Sequence, residues 1–225
     1  MQVKVNLQEI REKVKLACEK ANRSVEDITI IAVTKYVTIE RAKEAIEAGV
    51  TNLGENREEG LLAKREVLMD EPVWHFIGSL QTRKVKNIID KVDYIHSLDR
   101  LSLAKEINKR ASKKIKCFVQ VNVSQEESKH GIAPEETIDF IKSLEALPNI
   151  EVVGLMTMAP FTDNEESLRR CFQNLKKLQT EVQNLGISNA PCRELSMGMS
   201  NDYSIAIEEG ATMIRIGTAL VGSDK

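Results

Sequence analysis

Cysteine is scarce here: four residues in 225, Cys18, Cys117, Cys171 and Cys192, far apart and without a CxxC pair. That spacing argues against a structural zinc site, which needs clustered ligands, and against a disulfide-stapled secreted domain. Four isolated thiols read as reduced and mostly buried, which fits a cytoplasmic protein. Long apolar runs are missing as well, so no stretch is expected to span a bilayer. The first twenty residues, MQVKVNLQEIREKVKLACEK, carry charges throughout an amphipathic helical pattern and lack the unbroken apolar core of a signal peptide. No long block of one charge sign occurs and the formal net charge is -2, so neither nucleic acid nor a membrane is expected as partner. GxGxxG is absent after the first strand pattern and GxSxG is absent altogether.

What is present is enough for a sizeable core, with 42% hydrophobic residues in a chain long enough for one large domain or two small ones. Short β-branched runs alternate with helical patterns from end to end. The strand patterns cover 28–35, 50–56, 73–79, 94–99, 115–123, 152–158, 192–200 and 212–218. Between them lie 3.6-periodic segments such as IERAKEAIEAG, LSLAKEINKRASKK, PEETIDFIKSLEALP and EESLRRCFQNLKKLQTEVQNLG. Pro134 is placed to open one helix, and Gly49 and Gly186 to close two others. Eight strands alternating with helices predict a parallel sheet closed into a single (β/α)8 barrel over residues 1–225, with an additional N-terminal helix and no second domain. An open doubly wound sheet is the alternative. The expected state is a monomer.

Barrel chemistry sits where strands end and βα loops begin. Gly, Ser, Thr, Asn and single charges gather at those ends: Lys35, GENR (54–57), IGS (77–79), SLD (97–99), VNVSQEESKHGI (121–132), MTM (156–158), SMGMSND (196–202) and RIGT (215–218). Alternation along the first strand places Ile31, Val33 and Lys35 on one side and Ile30, Ala32 and Thr34 on the other. Lys35 is therefore either a snorkelling strand-end lysine or a desolvated amine ready to meet a carbonyl, with Arg215 as a nearby cation disfavouring its ammonium form. After the seventh strand the chain passes through Gly198 to a helix capped by Ser200 or Asn201. After the eighth, Gly217 and Thr218 form a second such turn. Hydroxyls and free backbone N–H groups at these two ends suit a phosphate. His75, His96 and His130 lack ligand spacing and read as structural, and Glu58 and Glu59 as solvated on a helix face.

The segments AVTKY, LGENR, WHFIGSLQTRK, HSLD, VNVS…KHGI, GLMTM, LSMGMSND and RIGTALVG resemble, nearly strand by strand, the pyridoxal phosphate homeostasis proteins (the YggS-like family). The likeness covers the whole chain and keeps the motif order. It departs at Thr82-Arg83-Lys84, where the family usually carries an Asn before the Lys and this chain has Arg83. The resemblance implies a fold similar to the N-terminal barrel of alanine racemase, with pyridoxal 5′-phosphate (PLP) held as a Schiff base on Lys35. It further implies Ser200, Gly217 and Thr218 at the phosphate and Arg215 at the pyridine nitrogen. Asn56 and Ser79 would line the cofactor, with Met156 and Met199 as apolar walls. A role in storing, protecting or delivering PLP without robust enzyme activity is implied, with apo PLP-dependent enzymes as recipients. Arg215 would keep the pyridine nitrogen unprotonated and the ring a poor electron sink. A racemase's second acid/base comes from another domain, which this chain, ending seven residues after Thr218, is not expected to carry. A PLP-dependent racemase or decarboxylase and a cofactor-free Schiff-base aldolase remain alternatives. Lys129 is expected beside the barrel mouth, where it would take up the cofactor transiently on exit.

Overall fold

The computed structural model describes residues 2–126 and 129–223. Glu127 and Ser128, within the loop expected beside the mouth, lie outside the described residues. Eight strands pair in parallel, in chain order, and close on themselves. They are β1 (Thr29–Val33), β2 (Asn52–Glu55), β3 (Val73–Phe76), β4 (Tyr94–Leu98), β5 (Ile115–Gln120), β6 (Ile150–Met156), β7 (Glu194–Ser196) and β8 (Met213–Ile216). Closure runs through Ile30 opposite Ile214 and Ile31 opposite Arg215. The closed barrel replaces the open-sheet alternative.

Helices α1 (Gln2–Lys20), α2 (Ile39–Glu47), α3 (Glu58–Leu68), α4 (Val85–Ile88), α5 (Leu101–Arg110), α6 (Pro134–Ser143), α7 (Glu165–Asn184), α8 (Tyr203–Glu208) and α9 (Thr218–Val221) surround the sheet. Their sequence signals act where expected. Pro134 is the first residue of α6, where its missing N–H costs nothing. Gly49 and Gly186 take positive φ after α2 and α7. The additional helix α1 buries a stripe of Val3, Leu7, Ile10, Val14 and Ala17 against α2, α8 and α9. No helix among the described residues is long and apolar enough to cross a membrane.

Every strand stops short of its expected C-terminal limit. The ladder ends where the chain tips outward to build the mouth. The apolar pattern continues past that point because residues such as Leu80 and Met197 stay buried outside the strands. Lys35 is affected most: β1 ends at Val33, and Lys35 sits exposed in the following turn. Its expected desolvation is therefore not found.

Two apolar layers result. The larger lies between sheet and helices and includes Leu53, Trp74, Ile95, Leu155, Phe172 and Ile214. The smaller fills the barrel with Ile31, Phe118, Val153, Met156 and Met213. The interior is not wholly apolar, and its polar part leads to the site.

Candidate functional site

The C-terminal ends of the strands open on a cavity of about 640 Å3. All nine residues singled out from the sequence line it: Lys35, Asn56, Ser79, Met156, Met199, Ser200, Arg215, Gly217 and Thr218. They come from six different strand ends, so only barrel closure brings them together. Gly78 allows this locally, since a Cβ there would collide with the Asn56 backbone carbonyl. Gly198 has φ +95, and a Cβ on it would approach Ala206 to 2.7 Å.

Arg215 is the buried charge of the cavity, with 4% of its surface exposed. Its Nη1 donates to Ser196 Oγ at 2.6 Å and its Nη2 to the Thr157 carbonyl at 2.9 Å. Burial lowers its pKa to about 10, against the pull of the Asp202 carboxylate, so it stays cationic at neutral pH. Asp202 is itself raised by burial. It accepts from the Met199 N–H at 2.5 Å and stands at the N-cap of α8. That corrects the expected cap: Ser200 and Asn201 lie in the turn before it, because the chain first turns back on the Met199 carbonyl, which accepts from Asp202 N at 3.1 Å.

Ser200 is thereby left free for a ligand. Among the described residues, the hydroxyls of Ser79, Ser200 and Thr218 and the Asn56 amide make no side-chain hydrogen bond within the protein. Among the described residues the Lys35 amine has no ion-pair partner, and it lies 5.6 Å from the Tyr36 ring centroid. One amine, one fixed guanidinium, unpaired hydroxyls and methionine walls form a donor set that fits a flat, anionic aldehyde.

Behind the rim, Lys64 Nζ meets Glu55 Oε1 at 3.0 Å, both side chains being buried. Thr34 Oγ1 donates to the same oxygen at 2.5 Å. Residues 34 and 55 immediately precede Lys35 and Asn56, so this buried pair ties the β1 and β2 ends together. Gly60 makes room for it, as a Cβ would stand 2.7 Å from Glu55 Oε2.

The sequence reading placed Ile77, Met158 and Asp202 within rim segments without giving them a role, and it missed Gln120 and residues 159–163. Gln120, Ile77 and Asp202 line the cavity, as does the segment Met158–Asp163, in which Phe161 is 96% exposed. His75 and His96 are inside the barrel rather than merely within strands, and His96 Nδ1 is hydrogen-bonded to Ser196 Oγ at 2.8 Å. Burial drives the His75 pKa down to about 3 and that of His96 well below its usual range. Glu58 is not solvated as expected, because Lys84 at 3.4 Å and Asn87 pair with it. Lys129 does not line the cavity and pairs with Glu126 at 2.8 Å. Arg83 donates to Gln81 at 3.0 Å on the exposed surface, so the substituted position stays out of the cavity.

Barrel and mouth define the class: the chain belongs to the family described as alanine racemase, N-terminal domain, whose model matches residues 5–225. Within that class it belongs with the pyridoxal phosphate homeostasis proteins. It is 43% identical over 223 residues to the protein of that name from Aquifex aeolicus, covering 97% of both chains. PipY of Synechococcus elongatus, solved with PLP bound, superposes with a TM-score of 0.85 at 29% identity, over 98% of this chain and 100% of that one. Clostridium difficile alanine racemase shares the fold, with a TM-score of 0.79 and 20% identity over 97% of this chain and 56% of its own.

Proposed function

We propose that this chain holds PLP in the mouth cavity, covalently attached at Nζ of Lys35, and stores, protects or delivers it rather than turning over a substrate. The carrying observation is the convergence of nine residues, named by the sequence pattern and the family resemblance together, on one cavity in which the Lys35 amine, the Asn56 amide and the Ser79, Ser200 and Thr218 hydroxyls have no hydrogen-bond or ion-pair partner among the described residues. When bound, the cofactor supplies an aldehyde that combines reversibly with amines and a pyridine ring able to accept electrons. The hydroxyls of Ser200 and Thr218 hold its phosphate beside Gly217. Asn56 and Ser79 give polar contacts, and Met156 and Met199 flank the ring. Arg215, cationic and anchored on Ser196, donates to the pyridine nitrogen and keeps a proton off it, which weakens the ring as an electron sink.

The shared name of the relatives supports homeostasis over catalysis, and family membership offers nothing to a cofactor-free aldolase. The test is the visible absorbance of freshly purified protein before and after borohydride reduction, followed by peptide mass mapping. A colourless protein that takes up no added PLP, or reduced cofactor found only on other lysines such as Lys84 or Lys129, would reject the assignment.

A further inference from the structure

An unbroken line of hydrogen bonds crosses the barrel interior and ends on Arg215. Asn52 Oδ1 lies 2.8 Å from His75 Nε2, and His75 Nδ1 lies 2.9 Å from His96 Nε2. His96 Nδ1 lies 2.8 Å from Ser196 Oγ, which is 2.6 Å from Arg215 Nη1. Neither imidazole touches the cavity, and an apolar pair of similar size would fill the barrel without the cost of burying polar rings. Aromatic neighbours also fix the ring planes. His75 stacks on Tyr94 at 4.5 Å and 7°, and His96 stacks on Phe118 at 4.3 Å.

With Oδ1 of Asn52 facing His75, the line admits one polarity. Arginine can only donate, so Ser196 Oγ accepts from Nη1 and its own proton must go to Nδ1 of His96. His96 then carries its proton on Nε2 and donates to Nδ1 of His75. His75 in turn carries its proton on Nε2 and donates to Asn52 Oδ1. The Asn52 amide is oriented by Nδ2 donating to Thr51 Oγ1 at 3.0 Å. Every group is satisfied with both rings neutral. The opposite polarity leaves the Ser196 proton without an acceptor and sets the bare Nε2 of His75 against the Asn52 oxygen.

We propose that Asn52, His75, His96 and Ser196 form a directional positioning relay that pins the Arg215 guanidinium and aims its free N–H donors into the cavity. Two of the five guanidinium N–H donors are taken by Ser196 and the Thr157 carbonyl, and the relay fixes the first of these anchors. The consequence for PLP rests on the proposed function; the polarity of the relay does not. Asn52, at the far end, thereby acts on the cofactor without touching it.

The first arm of the test is histidine-ring 15N NMR on the full chain without cofactor, using His75→Gln and His96→Gln for assignment. Both buried rings should carry the proton on Nε2 with Nδ1 bare, and Nδ1–H on either would overturn the relay. The second arm loads PLP and compares absorbance and retention in Asn52→Leu, Asn52→Asp, His96→Phe and His96→Gln. The Asp side chain still accepts from His75, and the Gln amide can both accept from Ser196 and donate to His75. Losing one neutral hydrogen bond predicts roughly two- to tenfold weaker retention and a shifted absorbance maximum for Asn52→Leu and His96→Phe. Asn52→Asp and His96→Gln should stay near the parent. Folded Leu and Phe variants with unchanged spectrum and retention would reduce the line to packing and overturn the proposal. A parent chain that takes up no PLP would sink the proposed function, and the ring tautomers would still decide the relay.

Discussion

Acidification from pH 7 to pH 5 should destabilise this barrel, and the two interior histidines are the reason. In the folded chain His75 has its pKa pushed down to about 3 and His96 is held well below its usual value, burial being the main cause for both. Asp93 pulls the His75 value up and Lys116 pushes it down, while His75 and Arg215 both lower His96. Once unfolded, each ring takes up a proton near pH 6.5 that the folded form refuses, so stability falls as pH drops below that value. Between pH 7 and pH 5 linkage gives about 1.9 kcal/mol for each ring, close to 4 kcal/mol for the pair. Carboxylates such as Asp93, held below their usual value, lose their contribution only near or below pH 4, outside this window. Asp202 acts in the opposite sense, because its raised carboxyl gains stability as pH falls.

The assay is urea unfolding at fixed ionic strength at both pH values, paired with NMR of the imidazole protons. The parent should lose several kcal/mol, and His75→Gln or His96→Gln should lose about half the dependence, one ring's share. His130 is exposed, so its signals mark a solvent-facing ring for comparison. If the buried ring resonances titrated between pH 7 and pH 5, or stability changed by less than about 1 kcal/mol with the Gln variants matching the parent, the burial argument would be wrong.

Three further outcomes are expected. Lys64→Met strands the Glu55 carboxylate in the wall behind β1 and β2, which should cost about 3–5 kcal/mol in chemical unfolding, whereas the double change Glu55→Gln with Lys64→Met should recover most of it. A single-variant loss below about 1 kcal/mol would mean that the pair is solvated. Ser200→Ala with Thr218→Ala removes two hydroxyls from the phosphate, each worth about 1.5–3 kcal/mol to a charged group, so PLP retention by dialysis should weaken by at least roughly tenfold with the fold intact. Unchanged retention would place the anion elsewhere. PLP-loaded protein should activate an apo PLP enzyme, Lys35→Ala protein should do so poorly, and Cα deuterium exchange of added amino acids should be slow; fast exchange without transfer beyond that from free PLP would favour catalysis.

The strands and the mouth were legible because both leave local marks. β-branched runs announce strands, and small polar residues at their C-terminal ends announce a barrel rim. That was enough to place Lys35, Ser200, Thr218 and the segments 54–57 and 77–79 at one rim, while the family resemblance singled out Asn56 and Ser79 within them. Contacts that depend on closure were not legible. Ser196 and His96 are 100 residues apart and meet only across the barrel interior. Period-two alternation cannot say which side chains of distant strands will touch, and the register shift between Ile95 and Leu98 blurs it further. Glu58 read as solvated because its partners, Lys84 and Asn87, arrive from another helical segment. The cap of α8 was misplaced by one or two residues because the Met199 turn cannot be told from a helix start by composition.

The exposure of Lys35 changes what the site is suited to do. A lysine buried at the strand end would have made its attachment part of the core, and release would have meant opening the barrel. Here the division runs the other way. Of the groups assigned to phosphate and ring, Arg215 is buried and fixed on Ser196 and Thr157, Ser200 is half-buried beside the Met199–Asp202 turn, and Thr218 stands exposed at the start of α9. The attaching amine stands in a turn open to solvent, held only indirectly through Thr34 on the buried Glu55–Lys64 pair. Water or an incoming amine would therefore reach the linkage proposed at Lys35 while the proposed anchors remain in place. A firm grip on the phosphate and ring, combined with an accessible covalent bond, suits reversible holding of the cofactor better than sequestered turnover. Extra enclosure of Lys35 should consequently slow release more than it tightens binding. Replacing Tyr36, which is 63% exposed beside Lys35, with Ala should speed exchange of bound PLP with an added amine and leave equilibrium retention nearly unchanged. Equal changes in both would mean that the turn itself contributes to the anchor.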